Sequence, residues 1–275
     1  MAKKQTTAVA KQGTAPAIVD ENIPEGLADE AVGLEGAGYS HRAEDRLIPI
    51  LGLIQENSGE VKRNHDKFVE DVEAGMLVIR ALGRFWAGDG TLIVQPCAFR
   101  QVWVEWQGEP GEGVPVAQYP YNDLPATAVF QDDPQGGVRK ICINSVNNNR
   151  IVDTRYHFVN LLEPNGILPA VIPFAGTGHT FSKQWTLQMD QVKIPSRDDG
   201  EPRDAPSWFT MYGLHSMYRQ RGAQSWFNIQ PRALGWVTDK WVRDAGEKLW
   251  RAVEADEVRA ADPDVDASSS EDAPI

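Results

Sequence analysis

Arg100-Gln-Val-Trp103, Arg155-Tyr156, Tyr218-Arg219 and Arg221 through Trp226-Phe227 each set a flat ring close to a cation. Trp208-Phe209 with Tyr212 adds rings without a charge. Rings and cations on one surface suit single-stranded nucleic acid: bases stack on the rings while Lys and Arg track the phosphates. Stacking contributes roughly 1–3 kcal/mol per base and tolerates any sequence. A strand is a suitable carrier, because alternate side chains form a row on one face. Trp103, Tyr156 and the stretch from Arg219 to Trp226 are the foremost candidates, with Arg100, Arg155 and Arg221 beside them. Most rings in strands must nonetheless be core.

Other chemistry is harder to find. Gly176-Thr-Gly178 precedes a helix and has Lys183 nearby, but the spacing is not that of a Walker A loop. The histidines, 41, 65, 157, 179 and 215, are scattered and show no zinc-helix spacing. His157 reads as a satisfied sheet histidine. Ser182 lacks the glycines of a nucleophile elbow. Asp132-Asp133 and Asp198-Asp199 sit in turn-rich loops. Cys97 and Cys142 read as buried thiols in a reducing compartment, a cytoplasm. No catalytic residue, metal or cofactor is expected, and the chain reads as a binding protein, not an enzyme. A nuclease would need clustered carboxylates, and Asp153, Glu163 and Asp190 are candidates only by elimination.

The elements that must position these residues are mainly strands. Arg46 to Ile54, broken by Pro49, reads as an edge strand or an extended lead-in. Gly75–Arg80, Thr91–Trp106 (one long strand, or two separated near Pro96), Lys140–Asn144, Arg155–Leu162 and Pro169–Phe174 follow. Trp208–Tyr218 and Ser225–Ile229 form a hairpin. One helix spans about Thr180–Gln191, with Phe181, Trp185 and Met189 as its apolar stripe. A second, capped by Thr238, runs from Asp239 to about Val258 and buries Trp241, Ala245, Leu249 and Ala252. The expected fold is mainly β (a β-rich α+β chain), an antiparallel barrel with two decorating helices and disordered termini. The expected organisation is a disordered arm over 1–45, a barrel over 46–237, a helix over 238–259 and an acidic tail over 260–275. No apolar run is long enough to span a bilayer.

Charge is distributed unevenly. Of the net −12, the first 45 residues carry −4 and residues 252–275 carry −7, which leaves the core near neutrality. A neutral domain still has room for a basic groove. The tail closes on Glu271, Asp272, Pro274 and Ile275. Such a segment can occupy a basic groove when DNA is absent, or anchor partner proteins of replication or recombination; a solvating tail without a partner is the plain alternative.

Three segments resemble a family of phage-encoded single-stranded DNA-binding proteins. They are Arg46-Leu-Ile-Pro-Ile50 to Ser58-Gly-Glu-Val61, Val94-Gln-Pro-Cys97 with Trp103 to Trp106, and Pro173–Thr177 through Lys183-Gln-Trp185. Gly59 stands where a proline is common, and His179-Thr180 replaces a more basic stretch. The resemblance implies a barrel related to the oligonucleotide-binding fold. It also implies that Lys183 lies near phosphates at a helix start. Single-stranded DNA binding in phage replication or recombination is the leading expectation. The alternative is a virion-associated structural or interaction protein, an oligomer that uses its rings as core.

Overall fold

The computed structural model describes residues 46–108, 114–133, 140–164, 166–195 and 201–261. In chain order these form β1 (Leu47–Ile48), β2 (Gly52–Leu53), β3 (Leu77–Ile79), β4 (Arg84–Trp86), β5 (Asp89–Gln107), β6 (Val114–Pro120), β7 (Ala128–Gln131) and β8 (Ile141–Asn144). Then come β9 (Arg150–Glu163), β10 (Gly166–Ala175), α1 (His179–Asp190), β11 (Lys193–Ile194), β12 (Arg203–Asp204), β13 (Thr210–Arg221), β14 (Gln224–Trp236), α2 (Lys240–Glu254) and β15 (Arg259–Ala260). The described residues are thus mainly β, with a largely antiparallel pairing and two α-helices. The two termini, 1–45 and 262–275, lie outside the described residues.

The principal sheet has eight strands in the order β14-β13-β5-β9-β8-β7, with β10 also on β9 and β6 also on β5. Among the described residues this order does not close into a barrel. β5 and β9 form its spine, paired from Ile93↔Leu162 to Trp106↔Arg150. Pro96 has no N–H to give the ladder, and the register slips between Pro96 and Ala98. The outer edge of β5 pairs with β13 through Val94 and with β6 from Val102 onward. Residues 95–101 therefore lack a strand partner on that edge.

Alternation along β9 sends one set of side chains to each face, and a helix covers each face. Val159 and Leu161 join Val94, Ile172, Phe174 and Tyr212 in a core closed by Phe181 and Trp185 of α1. Tyr156 and Phe158 join Val104, Cys97 and Val171 in a second core closed by Leu249 and Val253 of α2. The stripe on α2 differs from the expected one. Val242, Gly246, Leu249 and Val253 are buried, whereas Trp241 is 59% exposed. The helix begins at Lys240 with Asp239, not Thr238, in the capping position, and it makes no side-chain cap bond. Gly246 faces the sheet because a Cβ there would lie 2.5 Å from Trp208 Cβ and 2.7 Å from Gln95 Nε2. Gln95 is fully buried and joins three elements. Its amide donates to the carbonyls of Trp208 (2.7 Å) and Val242 (2.9 Å) and accepts from Asn160 (2.9 Å).

Two edges of this sheet, β14 and β10, are protected against further pairing. At β14 the Gln55 side chain accepts from Phe227 N–H (2.8 Å) and donates to Phe227 O (3.1 Å), as a neighbouring strand would. Pro231 removes another donor from the same strand. At β10 the segment before β2 takes the role, with Leu51 N–H donating to Val171 O and Val171 N–H to Pro49 O.

Candidate nucleic-acid interface

Beyond α1 the sheet face turns polar and aromatic. Trp103 stands opposite Tyr119 on β6 and Asp153 on β9, so these side chains share that face. The Trp103 indole N–H donates to Tyr121 O at 3.0 Å. This aligns the two rings, which lie 5.9 Å apart and 2° from parallel. Phe130 meets Trp103 edge-on, also at 5.9 Å. Tyr121 is 46% exposed and Phe130 51%. The three rings form a platform of the type on which bases stack.

A buried carboxylate fixes the floor of this platform. Glu105 is 2% exposed. It accepts from Tyr119 Oη (2.6 Å), Asn149 Nδ2 (2.7 Å), Asn147 Nδ2 (2.9 Å) and Asn144 Nδ2 (3.2 Å). Burial by itself pushes the carboxyl pKa up, but the donors from Tyr119, Asn147, Asn149 and Asn144 outweigh it and hold it at about 2. The same bond, with burial, pushes Tyr119 up to about 12. The turn between β8 and β9 is thereby locked onto β5, with Asn148 in the left-handed region at φ 60°. That turn presents Val146, which is 77% exposed.

Cations follow the rings along the same face. Gln101 donates to Asp153 Oδ1 at 2.9 Å and stands opposite Arg155. His179, at the start of α1, hydrogen-bonds Asp153 O at 3.0 Å through Nε2. Burial lowers its pKa most, and the charges of Arg155 and Lys183 add to that, while Asp153 opposes. Arg155 and Lys183 therefore act on one point at the head of α1. Lys183 is exposed, and Arg155 Nε is buried without an acceptor. The end of the β13–β14 hairpin approaches the same helix. Arg219 lies 5.5 Å over the Phe181 ring, and Thr177 Oγ1 meets Asn228 Oδ1 at 3.3 Å. Trp226 stands opposite Arg219, and its indole N–H is buried without an acceptor. Arg221 is exposed near the hairpin tip.

Two expected contact residues lie elsewhere. Tyr156 is 5% exposed and belongs to the core beneath α2. Its neighbour Arg100 shares that opposite face, bonded to Asp256 Oδ1 at 2.7 Å and to Val253 O. Arg100 thus caps the end of α2. Strand alternation separates Arg155 from Tyr156 correctly; it does not say which face a helix will cover. Tyr121, Phe130 and Gln101 were missed. Tyr121 and Phe130 flank a turn-rich stretch, and only the fold of β6 and β7 around β5 brings them to Trp103. Glu271, Asp272, Pro274 and Ile275 lie outside the described residues.

The acidic candidates do not assemble. Glu163 pairs with Arg84, Asp153 is engaged by Gln101 and His179, and Asp190 ends α1. Among the described residues no three His, Cys, Asp or Glu side chains are grouped to hold a metal. His157 and Ser182 are hydrogen-bonded at 2.8 Å, both fully buried. Burial, with a contribution from Arg155, drives the His157 pKa to about 3, and the ring stacks on Trp185 at 4.6 Å. This pair is part of the core.

Among the described residues, fold and site together define a mainly antiparallel β protein with two α-helices and an aromatic platform at one end of an open sheet. The chain belongs to the Pam3 phage gp34-like protein family, which matches residues 11–259, so it is a phage-type protein. Comparison with curated proteins and with solved structures found no match. No helix among the described residues is long and apolar enough to cross a membrane.

Proposed function

We propose that this protein binds single-stranded DNA along the face running from Phe130, Tyr121 and Trp103 to Arg155 and Lys183, without catalysing a reaction. The observation that carries the reading is the near-parallel Trp103–Tyr121 pair beside exposed Phe130, continued along β5 and β9 by cations. Bases stack on the rings, and the phosphates run toward the head of α1. Arg219, Arg221 and Trp226 extend the track at the hairpin. The resemblance in the opening, central and Lys183-bearing segments supports the same reading, as does the family's phage origin, which suits work in replication or recombination in a host cytoplasm. A barrel of the oligonucleotide-binding type is not required, since an open sheet presents the row equally well.

The test is fluorescence titration of the full chain with a poly-pyrimidine oligonucleotide across a salt series. Saturable tryptophan quenching that weakens with salt is expected, with duplex of the same length bound more weakly. Phe130→Ala and Trp103→Ala should each weaken binding on the order of 5- to 150-fold, the equivalent of one lost stack. Equal affinity for duplex and single strand at low salt, or no effect of Phe130→Ala, refutes the reading. A second reading rests on Val146 and Phe130, both exposed at the same end of the sheet: the platform meets another protein chain, as in a virion. Oligomers that persist without nucleic acid and dissociate on Phe130→Ala favour it.

A further inference from the structure

Where β5 lacks an outer partner, a cavity of about 200 Å³ opens between the two helices. Phe99, His157, Met189, Trp208, Trp250 and Glu254 are among its lining residues. Trp208 and Trp250 are stacked at 5.1 Å and 27°, and Phe99 is 40% exposed. The wall is held in place, because Trp208 O accepts from the buried Gln95 amide and Trp208 Cβ rests against Gly246. His157 adds no charge, being buried and hydrogen-bonded to Ser182.

Glu254, the last residue of α2, is the acidic group of the cavity. It makes no hydrogen bond or ion pair among the described residues, and the nearby cations are engaged. Arg251 is bonded to Glu247 Oε1 at 2.6 Å, and Arg100 to Asp256 and Val253 O. Arg251 also lies 6.0 Å from the Trp250 ring centre, so this ring already faces one guanidinium. Aromatic faces attract cations, more so when water is excluded. A carboxylate beside such faces favours a positive ligand and repels a phosphate. The volume matches about six or seven waters of liquid, room for an aliphatic stem with a charged head.

We propose that this cavity binds an organic cation, a primary ammonium or guanidinium on an aliphatic stem, with the stem against Phe99, Trp208 and Trp250 and the head at Glu254. The site stands apart from the Trp103 platform and does not depend on DNA binding. The full chain is titrated at low ionic strength with n-butylammonium, capped lysine amide and 1-pentanol, followed by tryptophan fluorescence and calorimetry. Saturable binding of the two ammonium compounds is expected, with the neutral alcohol at least roughly tenfold weaker. Glu254→Gln, an exposed change that leaves the core intact, should weaken the ammonium compounds roughly tenfold and leave the alcohol unchanged. Tighter binding of the lysine amide than of butylammonium marks a protein side chain as the source; the reverse order marks a small amine. Equal binding of alcohol and amine, an unaltered response in Glu254→Gln, or no saturation by about 10 mM overturns the proposal.

Discussion

Replacing Glu105 by glutamine tests the cage beneath the platform. The wild-type carboxylate offers two acceptor oxygens to donors from Tyr119, Asn144, Asn147 and Asn149. An amide keeps one acceptor and turns the other atom into a donor. Asn144 Nδ2, now 3.2 Å from both oxygens, then faces an N–H, and the Tyr119 hydroxyl must rotate to accept. The cost follows from the pKa. A fall from the ordinary 4.5 to about 2 means that folding favours the charged form by about 3 kcal/mol. Because the folded pKa is depressed, this stability is present above pH 4.5 and lost as pH falls through 2. Urea unfolding at pH 7 should therefore show Glu105→Gln less stable by about 2–3 kcal/mol, with the gap narrowing as pH drops below 4.5. A difference under about 0.5 kcal/mol at pH 7, or one independent of pH, refutes the reasoning.

Four further outcomes follow from the same geometry. His157 has its folded pKa lowered to about 3, so stability is complete above about 6.5 and declines as pH falls from there toward 3. His157→Phe should flatten the part of the profile between about 6.5 and 4.5, read from urea midpoints. Gly246→Ala should destabilise by at least about 1–3 kcal/mol in thermal unfolding, because its Cβ meets both Trp208 and Gln95. Trp241→Ser should change stability by less than about 0.5 kcal/mol whereas Val253→Ala costs about 1–3 kcal/mol, which separates the observed α2 stripe from the expected one. Lys183→Gln should lower the salt slope of oligonucleotide binding by about 0.7, the value for one phosphate contact on a single strand.

The long periodic segments were legible in the sequence. β9 alternates as expected, and Phe181, Trp185 and Met189 do line the inner side of α1. The hairpin was found but underestimated, since β14 continues to Trp236 past Pro231. Trp241 misled because tryptophan usually prefers burial; the buried stripe keeps Leu249 as expected but moves by one residue to Val242, Gly246 and Val253, with Gly246 against Trp208. Glu105 gave no local sign. Between Trp103 and Trp106 it reads as an ordinary outward strand residue, and Asn144 to Asn149 reads as a turn. Only the pairing of β8 and β9 with β5 brings the amides to the carboxylate. Gln95 was invisible for the same reason, its partners lying 65 to 147 residues away.

The parallel pairing of β1 with β15 places Leu47 beside Arg259 and Ile48 beside Ala260. Arg259 N–H donates to Arg46 O, and Ala261 N–H to Ile48 O. The first and last described residues are thus fastened at a single corner. Trimming either extremity past this clasp strips the other of its hydrogen bonds, so the two behave as one cooperative unit. A donor and an acceptor dye at positions 46 and 261 would sit close together in the native state and separate when the clasp opens.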